Sequence, residues 1–194
     1  VDLYDLYCDL SSRVGRRDEN RTRRARPRSD INVNRREGIG LPGLRELHKG
    51  GFAAGRLQTG GRACGVAQAA LEKTAQYVID RVQFGRPIGE YGLTQYKLGR
   101  MATHLAAARQ LTYSAARAMD ANPTQSLDGA MCKLLASDVA VWVTQEAQLL
   151  HGGWGYAEET PVSRYVVDAQ VLPIFEGVKP ILELRVIGRA LLGG

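Results

Sequence analysis

Leu98, Met101, Leu105, Ala108, Thr112, Ala115 and Met119 recur at alternating steps of three and four. That spacing lays one narrow apolar stripe along a long helix, and such a stripe is buried only when other helices close on it. The pattern ends at Asn122-Pro123, because the residue before a proline is driven out of helical backbone angles. Upstream, residues 52–80 are rich in Ala, Leu, Gln and Glu without proline, which favours a first helix. Arg86-Pro87-Ile88-Gly89 interrupts it. Downstream, a third helix is expected from near Ser126, whose hydroxyl would cap it. It carries Met131, Leu135, Val139 and Trp142 on one side and ends at Gly152-Gly153. After a connection rich in glycine and aromatic residues, Ile181 to Leu192 gives a fourth amphipathic helix. The expectation is an all-α, up-and-down four-helix bundle.

Composition sets the limits around that bundle. Of 194 residues, 44% are hydrophobic and 24% charged, ordinary values for a globular protein. The net charge of +6 is uneven: residues 1–50 hold 12 Lys+Arg against 8 Asp+Glu, and the other 144 hold 14 against 12. Residues 11–37 contain almost nothing apolar, so burial cannot offset the entropy of ordering them. The chain is therefore divided into an arginine-rich, poorly structured segment, 1–50, and a bundle, 51–194. A basic tail can bind nucleic acid through phosphates. This one has no stacking aromatics in its arginine run and carries interspersed acids, so a solvated tail is favoured over a nucleic-acid site.

Cys8, Cys64 and Cys132 are odd in number and far apart, which argues against zinc ligation and a disulfide framework and for a reducing, cytoplasmic setting. Asp2, Asp5 and Asp9 interrupt any apolar run at the start, so no secretory signal is expected. The longest apolar stretch, Leu134 to Val143, is broken by Ser137 and Asp138 and is too short for a bilayer.

Three loop motifs carry more specific chemistry. In Arg81-Val82-Gln83-Phe84-Gly85-Arg86-Pro87-Ile88 an arginine and an aromatic three positions apart suit a phosphate beside a ring or ribose. The same residues also describe a plain helix end with a basic C-terminal residue. In His151-Gly152-Gly153-Trp154-Gly155-Tyr156 the glycines permit close backbone approach to a ligand, or simply cap a helix before a turn. In Ile174-Phe175-Glu176-Gly177 a single carboxylate among bulky apolar residues is suited to act as a base with a raised pKa, or is an ordinary loop residue.

Taken together and in order, these motifs, with Pro161-Val162-Ser163-Arg164-Tyr165 and Asp168-Ala169, resemble the C-terminal helical domain of the acyl-CoA dehydrogenase family over about residues 50–192. Gly55-Arg56-Leu57-Gln58-Thr59 is similar to short branched-chain members, methylsuccinyl-CoA dehydrogenase among them. The resemblance implies FAD as cofactor, an acyl-CoA substrate oxidised to a trans-2-enoyl-CoA, an electron-transferring flavoprotein as acceptor, and a homodimer or homotetramer. It makes Glu176 the α-proton base and its amide a donor to the thioester oxygen. Some relatives carry the base at the position of Gly55, which has no carboxylate. The resemblance also places Arg56, Phe175 and Gly177 at the substrate, and Arg81, Gln83, Phe84, Gly152 and Gly153 at the FAD of a neighbouring subunit.

The sequence departs from the family pattern at Gly92, Leu149, Val178 and Pro180, where amide or hydroxyl side chains are usual. Residues 1–50 resemble neither the N-terminal helical domain nor the middle β domain of the family. The break near residue 50 suggests a truncated or frame-shifted gene product. Activity is then expected only within a more complete enzyme, the alternative being a non-catalytic bundle that acts in assembly.

Overall fold

The computed structural model describes residues 41–122 and 127–193, with side chains from Gly50 onward. The expected Ser126 cap, Cys8 and residues 1–40 of the basic segment lie outside the described residues, whereas residues 41–50, expected to be poorly structured, are helical. Helix α1 spans Leu41–Asp80, α2 Gly92–Ala121 and α3 Leu127–His151. The first helix thus begins eleven residues before Phe52, where the Ala-rich composition takes over. Val82–Gln83 (β1) and Arg86–Pro87 (β2) form an antiparallel hairpin between α1 and α2.

The three long helices run up, down and up. Residue Gly129 of α3 lies against the Ala53 carbonyl of α1, and the Tyr77 hydroxyl donates to the His151 carbonyl at 3.1 Å, so α1 and α3 are parallel. Helix α2 returns antiparallel to both, joined to α3 by the Lys97–Glu146 ion pair and to α1 by Arg109 donating to Gln68. The stripe on α2 is where its spacing put it. Met101, Leu105, Ala108, Thr112 and Ala115 are buried, and Leu98 and Met119 are half-buried against the core.

Helix α3 differs from its expected face. Val139 is buried, but Met131 and Trp142 are half-buried and Leu135 is exposed. The buried face is instead Cys132, Lys133, Ala136, Val139, Ala140, Val143, Ala147 and His151. Helix α3 packs against both α1 and α2, and small side chains let the α1 and α3 backbones come close. Buried threonines are accommodated by their own helices: Thr59, Thr74, Thr112 and Thr144 each donate to the carbonyl four residues back.

Part of the connection after α3 is itself helical. Following a 3₁₀ turn at Gly152–Gly155, α4 (Pro161–Ala169) begins with extended Thr160 and a proline in its first turn, and buries Val162 and Ala169. The last helix is interrupted. A turn of α-helix, α5 (Lys179–Ile181), passes into a π-helix at Leu182–Gly188 and then α6 (Arg189–Leu191), with Leu182 buried. The domain is all-helical apart from the hairpin. Among the described residues no helix is long and apolar enough to cross a membrane, and no cluster of His, Cys, Asp and Glu is placed to hold a metal.

Candidate functional site

The expected site residues fall into two groups, at opposite ends of the parallel α1–α3 pair. From Gly55 to Tyr77 α1 climbs 22 residues, roughly 33 Å at 1.5 Å per residue.

At the first end, the loop after α4 brings Glu176 onto α1 at Gly55. A Cβ on Gly55 would stand 2.6 Å from Glu176 Cδ, so only glycine leaves room for the carboxylate there. Arg56, the next residue, turns its Nε toward the Glu176 carbonyl at 3.4 Å and stands 5.7 Å from the Phe52 ring. Burial pushes the Arg56 pKa down, while the Glu176 charge pulls it back up. Phe175 packs against the core. The backbone here is unusual. Glu176 has φ +55°, and Gly177 has φ +104° with Leu182 Cδ2 2.9 Å from where its Cβ would be. A left-handed non-glycine residue costs about 1–3 kcal/mol and persists only where its surroundings hold it.

What holds it is a residue the sequence did not single out. Lys133 on α3 is fully buried, and its Nζ donates to the carbonyls of Pro173 at 3.0 Å and Gly177 at 2.8 Å. Ser137, one turn further, donates to the Leu172 carbonyl at 3.3 Å, and Lys179 pairs with Asp138 at 2.6 Å. A lysine normally marks a solvated face. Its signal lay in its neighbours, since Gly129, Ala136, Ser137 and Ala140 share its side of the helix.

At the second end, α1 finishes and the hairpin begins. Phe84 has φ +52° and Gly85 φ +85°, positive at both central positions as in a type I′ turn. The Phe84 ring is 95% exposed, and Arg81 and Gln83 are exposed beside it. Tyr91 braces the turn by donating to the carbonyls of Gln83 at 3.0 Å and Phe84 at 3.3 Å, while the Arg86 guanidinium lies 4.1 Å from its ring. The end of α3 is alongside. His151 stacks on Tyr77 with ring centroids 4.1 Å apart. Its Nδ1 lies 2.8 Å from the Ala147 carbonyl, which can only accept, so Nδ1 carries the proton. Burial lowers the His151 pKa, partly offset by that bond. Gly152 follows with φ +60°, and nothing lies within 4 Å of where a Cβ on Gly152 or Gly153 would stand. Trp154 and Tyr156 are exposed.

Thus the structure brings Glu176, Arg56, Phe175 and Gly177 together at Gly55, and places Arg81, Gln83 and Phe84 at the same end as Gly152 and Gly153. Within one chain it keeps the two groups apart. The open end offers an exposed cation, an exposed ring on a strained turn and bare backbone. Of the four departures, Gly92, Leu149, Val178 and Pro180 are all exposed.

A family profile described as the acyl-CoA dehydrogenase C-terminal domain matches residues 43–192. The (2S)-methylsuccinyl-CoA dehydrogenase of Cereibacter sphaeroides is 43% identical over 141 residues, covering 73% of this chain and 26% of that protein. The structure of butyryl-CoA dehydrogenase from Megasphaera elsdenii superposes with a TM-score of 0.73 at 38% identity, covering 80% of this chain and 39% of that one. A glutaryl-CoA dehydrogenase from Mycobacterium smegmatis in complex with FADH2 gives 0.70 at 29% identity, over 74% and 37% of the two chains. The chain therefore spans well under half the length of the relatives it matches.

Proposed function

The chain belongs to the acyl-CoA dehydrogenase family through its C-terminal domain, and on that premise we propose that it serves FAD-dependent α,β-dehydrogenation of an acyl-CoA within a more complete enzyme. The observation that carries this reading is the Glu176 loop: a carboxylate on strained backbone, seated in a space that only glycine at position 55 leaves open.

Glu176 takes the α proton. An α proton of a thioester is too weak an acid for a carboxylate in water, so the developing enolate needs a donor, and the Glu176 backbone N–H provides one to the thioester oxygen. Arg56, held beside the loop, attracts the CoA portion. The FAD, when bound, supplies the hydride acceptor for the β carbon. At the far end Arg81 and Gln83 would hold the cofactor's phosphate and polar groups, Phe84 would cover its adenosine, and Gly152 and Gly153 would let backbone approach it. Because the two ends stand apart in one chain, Glu176 and the hairpin serve different subunits' cofactors in a homodimer or homotetramer. An electron-transferring flavoprotein is the acceptor that fits this chemistry. Short branched acyl-CoA esters are the substrate class favoured by the likeness to the methylsuccinyl-CoA enzyme.

The exposed Phe84, Leu149, Trp154 and Tyr156 at one end favour a second reading, an assembly domain without chemistry. A visible spectrum after incubation with FAD and desalting, followed by anaerobic addition of short acyl-CoAs, separates the two. Retained flavin that bleaches supports the dehydrogenase; no retained flavin, alone or with complementing domains, leaves assembly. Glu176→Gln should keep FAD bound and slow bleaching by about 10²–10⁴-fold. Undiminished bleaching in that variant would sink Glu176 as the base.

A further inference from the structure

Lys133 is the only lysine or arginine among the residues of described burial that is buried. Burying an ammonium sacrifices its hydration, so its position must be compensated by what its head group does. Its two carbonyl partners, Pro173 and Gly177, lie on either side of Glu176 in the chain. Ser137 and Asp138 grip the same loop at Leu172 and Lys179. Helix α3 thus holds the loop before and after Glu176, and from α1 Arg56 adds a weaker contact at the Glu176 carbonyl. The charged groups facing Lys133 are Arg56 on α1, Asp138 on α3 and Glu176 on the loop. Burial and Arg56 push its pKa down; Asp138 and Glu176 pull it up.

We propose that Lys133 is the positioning residue for Glu176: its ammonium ties the carbonyls of Pro173 and Gly177 into one node and holds the left-handed backbone that fixes where the Glu176 carboxylate and amide stand. The proposal rests on Glu176 being the base, but its first tests do not use activity.

In the wild-type chain, NMR titration toward high pH should move the amide signals of Ile174, Gly177 and Val178 with the same midpoint as the Lys133 Cε signal. Loop signals that stay flat while Lys133 titrates would overturn the proposal. Lys133→Met keeps the apolar stem and removes every donor. Hydrogen exchange at the Glu176 and Gly177 amides should then rise about tenfold or more while α1 is unchanged, and Lys133→Arg should recover part of the protection. Equal exchange in the methionine variant and wild type also overturns it, and if that variant does not fold the wild-type titration still decides. In a flavin-loaded assembly Lys133→Met should lower kcat about 100-fold with KM nearly unchanged; a loss confined to KM counts against it. Glu176 fails as base on a separate result, flavin reduction surviving in Glu176→Gln, which would leave the loop signals as found.

Discussion

Among the described residues, Phe84 and Glu176 are the two non-glycine positions with left-handed backbone, at φ +52° and +55°. They sit at opposite ends of the bundle and carry similar strain, yet they are held differently. The Glu176 loop is fastened from inside by Lys133 and Ser137, through bonds from buried side chains. The Phe84 turn is fastened from outside by Tyr91, in exposed bonds for which water competes, and its ring covers nothing. The difference shows that equal backbone strain can be held in two ways. The first end is braced by buried side chains of the same chain; the second leaves its strained residue exposed.

Four experiments would break or sharpen that contrast. The largest effect is expected from Lys133→Ala, which empties the space of a fully buried side chain, takes the donor from two carbonyls and should cost about 3–5 kcal/mol in urea unfolding. Phe84→Ala should stay within about 0.5 kcal/mol. Equal losses at the two ends would erase the distinction. Next comes Gly55→Ala. Its Cβ would meet the flexible end of Glu176 and push it aside, so flavin reduction should fall about 100-fold while stability changes by less than about 1 kcal/mol. Stopped-flow bleaching and a melting curve measured together check this; a parallel fall in both would mean that backbone, not the carboxylate, moved.

Tyr91→Phe should be milder, about 0.5–1.5 kcal/mol and confined to exchange at the hairpin, with weaker FAD retention. Acid gives the smallest response. The folded His151 pKa lies below its ordinary 6.5, so its neutral form stabilises the fold above that value and the stabilisation is lost as pH falls through the folded pKa. Trp154 fluorescence should report loosening at the second end below pH 6.5, and His151→Gln should flatten that dependence.

Much of this was legible where side-chain size and period agree. The α2 stripe and the three ordered motifs were enough for fold class and family. The face of α3 was not, because Leu and Met read as core more strongly than Ala, Ser and Cys, whereas a helix packed on two sides buries the small residues that allow close approach. Helix α4 lies in a stretch whose glycines and aromatics read as a connection, although Thr160-Pro161 is a helix start. Lys133 is not legible because a lysine reads as solvent-facing until its contacts are known, and Tyr91 is not because nothing in sequence joins it to a turn seven residues earlier.

The π-helix at Leu182–Gly188 adds a question of phase. A π segment behaves as an α-helix with a residue inserted. Removing one residue from it would restore α geometry and rotate everything downstream by about 100°. The azimuth at which Arg189 and Leu191 leave the bundle is therefore written in the count of residues after Glu176, independently of which residues they are. A single-codon deletion there would leave every side chain of the Glu176 loop in place and still point the end of the helix at a different neighbour.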